Sequence, residues 1–436
     1  MSLRSHVVKA GMRSVVRLMR LVGGARAARG DAPRTAIESA VADARRILVV
    51  ALSEIGDAVL LSPFLRELRR LTPRAHITLV VRPATHSLYE LCPFVDRTLT
   101  YEPRVARVLR PLVLPLRASR FARGRLDEPA FDIAIVPRWD TDHHFATAIA
   151  FWSGATRRVG YSEHVNRRKA TLNAGFDGLL TDPVPSGTGL HEVERHFALL
   201  RYMGASPADG PLESWLDVED ERNVEELLAR SGIASGDPLV AMLIGAADPK
   251  RRWPVERFAA LADGLLRQLT NAHVLIIGGS EDVAAQSALS DALGTRAVPL
   301  AGRLSLRQST AALRRCVVAV GNDSGALHLA AAARVPCVEV SCHPANGDVL
   351  HNNAPERFGP WGVPSTILRP AAPAPPCSSA CEMRAPHCIL AVDVDDALAA
   401  VTRLAERASR SGGAHDADST GPASGDDRGR RAMSPE

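Results

Sequence analysis

The stretch AVGNDSGALHLAAAA, residues 319–333, joins an apolar run that predicts a buried strand to an Ala- and Leu-rich run that predicts a helix. Asn322, Asp323 and Ser324 lie between the two runs, and His328 follows one turn into the predicted helix. One interpretation is an N-terminal cap followed by a buried histidine. The other is a ligand site, because free backbone N–H groups at a helix N-terminus attract phosphate.

Strand and helix patterns alternate along most of the chain, in two series separated by a Gly-, Pro- and Asp-rich segment at residues 206–217. The first series has predicted strands at 47–52, 77–81 and 131–136 and a helix at 57–71. The second has strands at 239–244, 273–277, 317–320 and 337–340 and helices at 255–269, 281–293 and 325–333. This alternation predicts an α/β fold with two Rossmann-like domains facing a central cleft.

The same patterns divide the chain into five parts. These are a basic amphipathic leader at 1–45, an N-terminal domain at 46–210, a C-terminal domain at 217–392, a closing helix at 393–408 and a tail at 409–436. The tail contains no Val, Ile, Leu, Phe, Trp or Tyr, so we expect it to be disordered.

The composition, 46% apolar and 23% charged, is that of a globular protein. Its seven cysteines are an odd number and several lie in apolar runs, which favours reduced thiols over a disulfide framework. No uninterrupted apolar run approaches the roughly 18 residues of a membrane-spanning helix. We therefore expect a cytoplasmic protein.

Two basic blocks carry much of the positive charge. Residues 1–46 hold ten Arg or Lys against three acids, and residues 101–126 hold seven Arg against one. Apolar residues recur at near-helical spacing in the first block, which favours contact with an anionic membrane surface; a solvated leader is the alternative. The second block contains two prolines, so we expect that it is not one continuous helix. It is either a surface loop that binds anionic lipid or an anionic acceptor, or an exposed connection. Aromatic residues are only 4% of the chain, and no nucleic acid partner is expected.

Two other strand-to-helix turns carry chemistry. In LSEIGDAVLLSP, residues 52–63, Gly56 forms the turn and Asp57 begins the predicted helix. Asp57 is either a helix cap or a base that accepts a proton from an attacking hydroxyl. In IGAADPKRRWPVERF, residues 244–258, three consecutive cations follow a strand and suit a diphosphate.

Taken together and in this order, the three turns resemble glycosyltransferase family 9, the ADP-heptose:lipopolysaccharide heptosyltransferase family. The resemblance extends from about residue 46 to about residue 404 and includes RRVGY (157–161), IIGGSED (276–282) and LAGRLSLRQ (300–308). It implies a GT-B fold and inverting transfer that requires no metal. It also implies an ADP-heptose donor in the C-terminal domain and a lipid-linked saccharide acceptor in the N-terminal domain, at the inner membrane face.

The resemblance also implies roles for individual residues. Asp57 would be the general base, and Arg251, with Lys250 as a substitute, would stabilise the leaving diphosphate. The implied donor-site residues are Glu281 at the ribose, Leu304 at the adenine, and Asn322, Asp323, Ser324, Gly325, Ala326 and His328. The acceptor-site candidates are Gly56, Arg138, Asp140, Asp142 and Arg158. Because residues 137–164 are unusually polar, Asp140 and Asp142 remain rivals of Asp57 as the base.

The segment CSSACEMRAPHC contains Cys377, Cys381, His387 and Cys388. These four soft ligands could bind structural zinc or iron, although their spacing is not that of a standard zinc finger. Reduced packing thiols are the alternative.

Alternatives to lipopolysaccharide heptosylation also remain. These are protein O-heptosyl transfer, transfer of another nucleotide-activated sugar, and nucleotide-sugar binding without catalysis. A dinucleotide oxidoreductase is disfavoured, because no G-x-G-x-x-G motif follows the first predicted strand of either half.

Overall fold

The structure, a computed structural model, describes residues 3–23, 37–102, 104–106, 109–126, 130–185, 191–234 and 236–415. The strands are β1 Arg46–Ala51, β2 His76–Val81, β3 Arg97–Thr100, β4 Ile133–Val136, β5 Arg157–Tyr161, β6 Asp182–Val184, β7 Leu239–Leu243, β8 His273–Ile277, β9 Ala297–Pro299, β10 Cys316–Asn322, β11 Cys337–Val340 and β12 Ser365–Leu368.

The α-helices are α1 Leu3–Gly23, α2 Ile37–Ala42, α3 Ile55–Leu60, α4 Ser62–Leu71, α5 Arg110–Arg125, α6 Ala146–Trp152, α7 Lys169–Leu172, α8 Glu192–Tyr202, α9 Val218–Arg230, α10 Val255–Gln268, α11 Val283–Leu293, α12 Leu306–Arg314, α13 Gly325–Ala332, α14 Pro355–Phe358 and α15 Val394–His415. Short 3₁₀ helices include Phe176–Leu179, Pro249–Arg251, Ser280–Asp282 and Cys388–Ala391.

Within the described residues the strands form two six-stranded parallel sheets, one in each half of the chain. The first has the order β3-β2-β1-β4-β5-β6, and the second, β12-β11-β10-β7-β8-β9, is the same order read from its other edge. This is the strand order of a doubly wound Rossmann domain. The central strands β1 and β7 are almost wholly buried, as expected for parallel strands that helices cover on both faces. The predicted α/β class with two Rossmann-like domains is confirmed.

The helix predicted at 57–71 is divided into α3 and α4. Pro63 lies in the first turn of α4, where its missing N–H removes a bond that a continuous helix would need. The division leaves a short first helix whose N-terminus, with Gly56 and Asp57, lies at the carboxyl end of β1.

The second basic block differs from its prediction, because α5 is one helix over Arg110–Arg125. Pro111 lies at the helix start, where backbone N–H groups have no partner within the helix. Only Pro115, one turn later, removes a hydrogen bond. Buried Leu114, Ala118 and Ala122 pack the helix on the N-terminal domain, which offsets that loss.

The leader also contains a helix that is docked on the N-terminal domain. Met12, Val16 and Met19 of α1 are buried in the same apolar cluster as α5 and α6. Other apolar residues of α1, among them Leu21 and Val22, are exposed. The apolar side chains of α1 therefore divide between a packed face and an exposed one.

The closing helix is longer than predicted. α15 continues through His415, so residues 409–415, which were predicted as the start of the tail, are helical. The remaining predicted tail, 416–436, and leader residues 24–36 lie outside the described residues. In the part of the chain that the structure describes, no helix has the length and apolar character needed to cross a membrane.

The two domains touch where α3 meets α13. A Cβ atom on Gly56 would lie 2.7 Å from the His328 ring, and one on Gly325 would lie 2.8 Å from the Ile55 side chain. Both positions therefore require glycine for this approach. The contact brings the carboxyl ends of β1 and β10 to the same cleft.

Candidate active site

A cleft of about 620 Å³ separates the carboxyl ends of the two sheets. Gly56, Asp57 and Arg138 line it from the N-terminal domain, and residues after β7, β8 and β10 line it from the C-terminal domain. Crevices at the carboxyl ends of parallel strands are where doubly wound domains bind ligands. The fold thus brings residues from both halves of the chain to one cavity.

The turn after β10 forms one wall of this cleft. Asp323, Ser324, Gly325, Ala326 and His328 all line it, as predicted. Ser324 Oγ and His328 Nδ1 are buried and have no hydrogen-bond partner among the described residues. Burial lowers the pKa of His328, so the ring is neutral near pH 7. The wall combines the free N–H groups of the α13 N-terminus with two polar side-chain atoms that a ligand can satisfy.

Asn322 does not belong to this wall, contrary to its prediction as a donor-site residue. The side chain is fully buried; Oδ1 accepts from Trp253 N at 2.9 Å, and Nδ2 donates to Ile244 O at 2.8 Å. Because β10 extends through Asn322, this side chain points into the domain and fixes the loop after β7.

The three cations of that loop have different surroundings. Arg251 lines the cleft and donates from Nη1 to Asp323 Oδ2 at 3.1 Å. Lys250 pairs instead with Asp248 at 3.5 Å, and Arg252 pairs with Asp282 at 3.3 Å. Burial opposes the charge of Arg251, but Asp323 raises its pKa above the usual value. Of these three cations, Arg251 is the one placed to meet a bound anion.

Glu281 and Leu304 also line the cleft, as predicted. Sequence reasoning missed Asp282, whose carboxylate accepts from Gly279 N at 2.9 Å and lies so close to Gly245 that any side chain there would clash. Burial raises the pKa of Asp282. The Gly-Gly-Ser-Glu-Asp order, typical of a tight turn closed by an acidic cap, was the available signal.

Asp57 lies where the cleft meets a smaller cavity of about 120 Å³ in the N-terminal domain. Asp57 and Arg138 form an ion pair and line both cavities. His143 and His144 also line the smaller cavity, and burial lowers the pKa of each to about 4. Both imidazoles are therefore neutral near pH 7, which leaves Arg138 as a permanent cation at this junction.

The two rival carboxylates hold structural positions. Asp140 is buried beside Arg357, whose Nη1 lies 3.4 Å from Oδ2. Burial would raise the pKa of Asp140, but Arg138 and Arg357 lower it to about 2. Asp142 caps α6, because its oxygens accept from the N–H groups of Ala146 and Thr147 at 2.9 Å. Asp140 lines the main cleft and Asp142 lines the smaller cavity, but both carboxylates are already engaged by these partners.

Arg158, predicted as an acceptor contact, is buried in the N-terminal domain. Its guanidinium donates to Leu179 O at 2.8 Å and Ala155 O at 2.9 Å. In the described part of the chain, the linings of the two cavities do not include it. The structure therefore assigns Arg158 to packing between β5 and the residues before β6.

An ion-pair network between the domains was also missed. Arg357, which is 1% exposed, reaches from the C-terminal domain to Glu192 at 2.6 Å and to Asp140. Two guanidinium groups contact Trp139, with Arg195 at 3.6 Å and Arg357 at 5.0 Å from the ring centroid. Since these residues come from distant segments, no local sequence pattern marks them.

A second group of polar side chains lies outside the cleft. The ligand atoms of Cys377, Cys381, His387 and Cys388 all lie within 4.8 Å of one another. The sequence candidates for a metal site are thus brought together.

Comparisons with known proteins agree with this architecture. The model of glycosyltransferase family 9 (heptosyltransferase) matches residues 120–384. The chain is 25% identical to lipopolysaccharide heptosyltransferase 2 of Salmonella typhimurium and 26% identical to that of Escherichia coli, in each case over 67% of this chain and 81% of the relative.

Solved structures share the fold. A family 9 glycosyltransferase from Veillonella parvula superposes with a TM-score of 0.67 at 22% identity, covering 83% of this chain and 97% of the other. ADP-heptose lps heptosyltransferase II of Escherichia coli superposes with a TM-score of 0.59 at 19% identity, covering 83% and 99%. The two-domain fold is thus that of these GT-B transferases, and the chain belongs to glycosyltransferase family 9 and is a glycosyltransferase.

Proposed function

We propose that the protein transfers a heptose from ADP-heptose to a lipid-linked saccharide of the lipopolysaccharide type, with inversion at the anomeric carbon. The names of its relatives in Salmonella typhimurium and Escherichia coli support the sugar and the acceptor class. A heptosyltransferase of Escherichia coli with the same fold, at a TM-score of 0.56 and 19% identity, was solved with ADP, which supports the nucleotide.

The donor fits the wall formed by the turn after β10. In this proposal the diphosphate lies against the N–H groups of Ser324, Gly325 and Ala326 and meets Arg251. Glu281 holds ribose hydroxyls, and Leu304 packs on the adenine on the same side of the cleft. Arg251 and the helix N-terminus then stabilise the charge that develops on the leaving ADP.

The observation that carries the proposal is the position of Asp57 at the junction of the two cavities. Asp57 lines both cavities, as do Glu54 and Arg138, so a sugar hydroxyl in the smaller cavity would meet a donor in the cleft beside this carboxylate. The hydroxyl proton moves to Asp57, the oxygen forms a bond to the anomeric carbon, and the bond from that carbon to the diphosphate breaks. Arg138 orients the carboxylate through their ion pair. None of these steps needs a metal ion.

The donor assignment is tested by calorimetric titration of the full chain with ADP, UDP and GDP. We expect binding of ADP and weaker binding after His328→Ala, because His328 belongs to the wall formed by the turn after β10. A preference for UDP or GDP would contradict the ADP-sugar, and a chain that binds none of the three would contradict the donor site.

The acceptor assignment is tested by transfer from ADP-heptose, with mass spectrometry of the products. Lipopolysaccharide core saccharides are the expected acceptors. A chain that modifies protein hydroxyls and leaves these saccharides unchanged would contradict the acceptor class, although the donor site would stand.

We also propose that the enzyme works in the cytoplasm at an anionic membrane surface, which a lipid-linked acceptor requires. On α5, Leu112 and Leu116 are 65% and 69% exposed and share the outward face with Arg120. On α1, Leu21 is 80% exposed and Arg17 lies beside it on the solvent side. Both helices belong to the domain proposed to bind the acceptor.

Sedimentation with vesicles tests the membrane surface. We expect the full chain to bind phosphatidylglycerol vesicles at low salt and the double variant Leu112→Glu, Leu116→Glu to lose most of that binding. Val218→Glu is the matched control, because Val218 is 81% exposed on the C-terminal domain. Equal binding of the α5 variant and the control would overturn the proposal that this face of α5 binds the membrane.

A further inference from the structure

We propose that Cys377, Cys381, His387 and Cys388 bind one zinc ion, which fixes the loop that carries Arg251. All four ligand atoms lie within 4.8 Å of one another. His387 Nδ1 is 3.7 Å from the sulfur of Cys377 and 3.5 Å from that of Cys388. In a tetrahedral site with Zn–S bonds of roughly 2.3 Å, neighbouring ligand atoms are about 3.5–3.8 Å apart. Small side-chain movements would therefore complete the site.

The surroundings of the four side chains suit a closed structural site. Cys381 and Cys388 are buried, and Cys377 is partly exposed. The N–H of Glu382 donates to the sulfur of Cys377 at 3.4 Å, as second-shell backbone groups do for metal-bound thiolates. Three thiolates and one imidazole match the preference of zinc over hard cations such as magnesium.

The chain around the site has little regular secondary structure. Between β12 and the 3₁₀ helix Cys388–Ala391, residues 369–387 form neither a helix nor a strand. Irregular segments of this length are uncommon within a compact domain. An ion that joins residue 377 to residue 388 would hold the segment closed, since four ligand bonds replace the missing backbone ladder.

The segment is connected directly to the donor side of the cleft. Trp253 Nε1 donates to Val392 O at 3.2 Å, and Arg257 Nη1 donates to Leu390 O at 2.7 Å. Trp253 is two residues after Arg251, and Asn322 holds its backbone from the other side. A zinc ion at Cys388 would therefore position the cationic loop without touching the substrate.

Metal analysis of the purified full chain, independent of activity, tests the site. We expect one zinc per chain by mass spectrometry. After replacement by Co²⁺, we expect the intense absorption of a tetrahedral thiolate site. Cys377→Ser and His387→Ala should weaken zinc binding by more than about 100-fold, since loss of an outer-shell partner already costs about 10–100-fold.

Two variants control for unfolding. His387→Cys keeps four ligands, so it should retain zinc and show a cobalt spectrum of four thiolates. Cys92→Ser removes a buried thiol of the other domain and should retain zinc with an unchanged spectrum. A chelator should lower the melting temperature of the wild type but not that of His387→Ala.

Three outcomes would overturn the proposal. These are a folded chain that does not bind added zinc, a disulfide among these cysteines in protein purified under reducing conditions, and iron in place of zinc. Because each is read from metal content or mass, none depends on whether ADP-heptose is the donor.

Discussion

The turn after β1 and the turn after β7 occupy the same position in two sheets of the same strand order, yet they carry opposite charges. The first contains Glu54 and Asp57, and the second contains Lys250 and Arg251. Topology aims both turns at one cleft, because each leaves the carboxyl end of a central strand. The charges divide the proposed reaction between a proton acceptor on one side and a stabiliser of the leaving group on the other.

The two turns also differ in how their side chains are held. Asp57 is oriented by one cation of its own domain, Arg138. Arg251 is oriented by Asp323, and its backbone lies beside Trp253, which Asn322 fixes. We therefore expect the acidic turn to be sensitive to single substitutions, and the basic turn to respond at Arg251 far more than at its neighbours.

Removing the carboxylate of Asp57 should have the largest effect on turnover. Asp57→Asn keeps the shape of the side chain but cannot accept a proton, so turnover should fall by about 10²- to 10⁴-fold. Affinity for ADP should hardly change, because the donor wall is intact. Steady-state kinetics and calorimetry together separate the two effects. An active Asp57→Asn enzyme beside an inactive but folded Asp140→Asn would reverse the assignment.

Removing the guanidinium group of Arg251 should reduce turnover somewhat less. Arg251→Met should reduce turnover by about 10²- to 10³-fold, the range for loss of one group that stabilises developing charge. Lys250→Met is the matched control, because Lys250 pairs with Asp248 and should change turnover by less than about fivefold. If Lys250→Met proves the more damaging change, Lys250 is the cation that meets the diphosphate.

The contact that brings the two turns together can be tested without altering a charge. In Gly56→Ala the new methyl group would lie 2.7 Å from the His328 ring, so either this imidazole or the contact between the domains must shift. We expect kcat/KM to fall by up to about 10²-fold, because small displacements of reacting groups are costly. Gly124→Ala, on an open face of α5, should have wild-type activity. Unchanged kinetics of Gly56→Ala would mean that this contact does not form during turnover.

The smallest expected effect concerns stability at low pH. Arg138 and Arg357 lower the pKa of Asp140 from 3.8 to about 2, against the effect of burial. The folded state therefore favours the carboxylate over the carboxylic acid. The resulting stabilisation of the fold is present above about pH 4 and is lost as the pH falls through 2. It amounts to about 2 kcal/mol of unfolding free energy. Denaturant titrations at several pH values should show that Asp140→Asn lacks this part of the pH dependence.

Residues that belong to one strand-to-helix turn were predictable from sequence, since the turn alone determines where they point. Asp323, Ser324 and Gly325 reached the cleft for this reason, as did Asp57. Even within one turn, the residue at the end of the strand was predicted wrongly. Asn322 was misplaced because pairing with β11 extends β10 and turns its side chain inward.

Contacts between distant segments were beyond sequence reasoning. Arg357 meets Glu192 across 165 residues of chain, and nothing local to either residue marks the pair. Arg158 was misassigned because it lies within the polar stretch 137–164, and only the fold shows that its side chain is buried. The helix α5 was missed because the local cost of Pro115 was weighed without the burial of the residues around it.

Trp139 gives the protein an intrinsic optical reporter. Its indole contacts Arg195 of its own domain and Arg357 of the opposite one, and it is 4% exposed. Opening of the cleft would draw Arg357 away from the ring and change the surroundings of the indole. Fluorescence from a variant that retains Trp139 alone among the five tryptophans would therefore follow opening and closing in real time, without an attached dye.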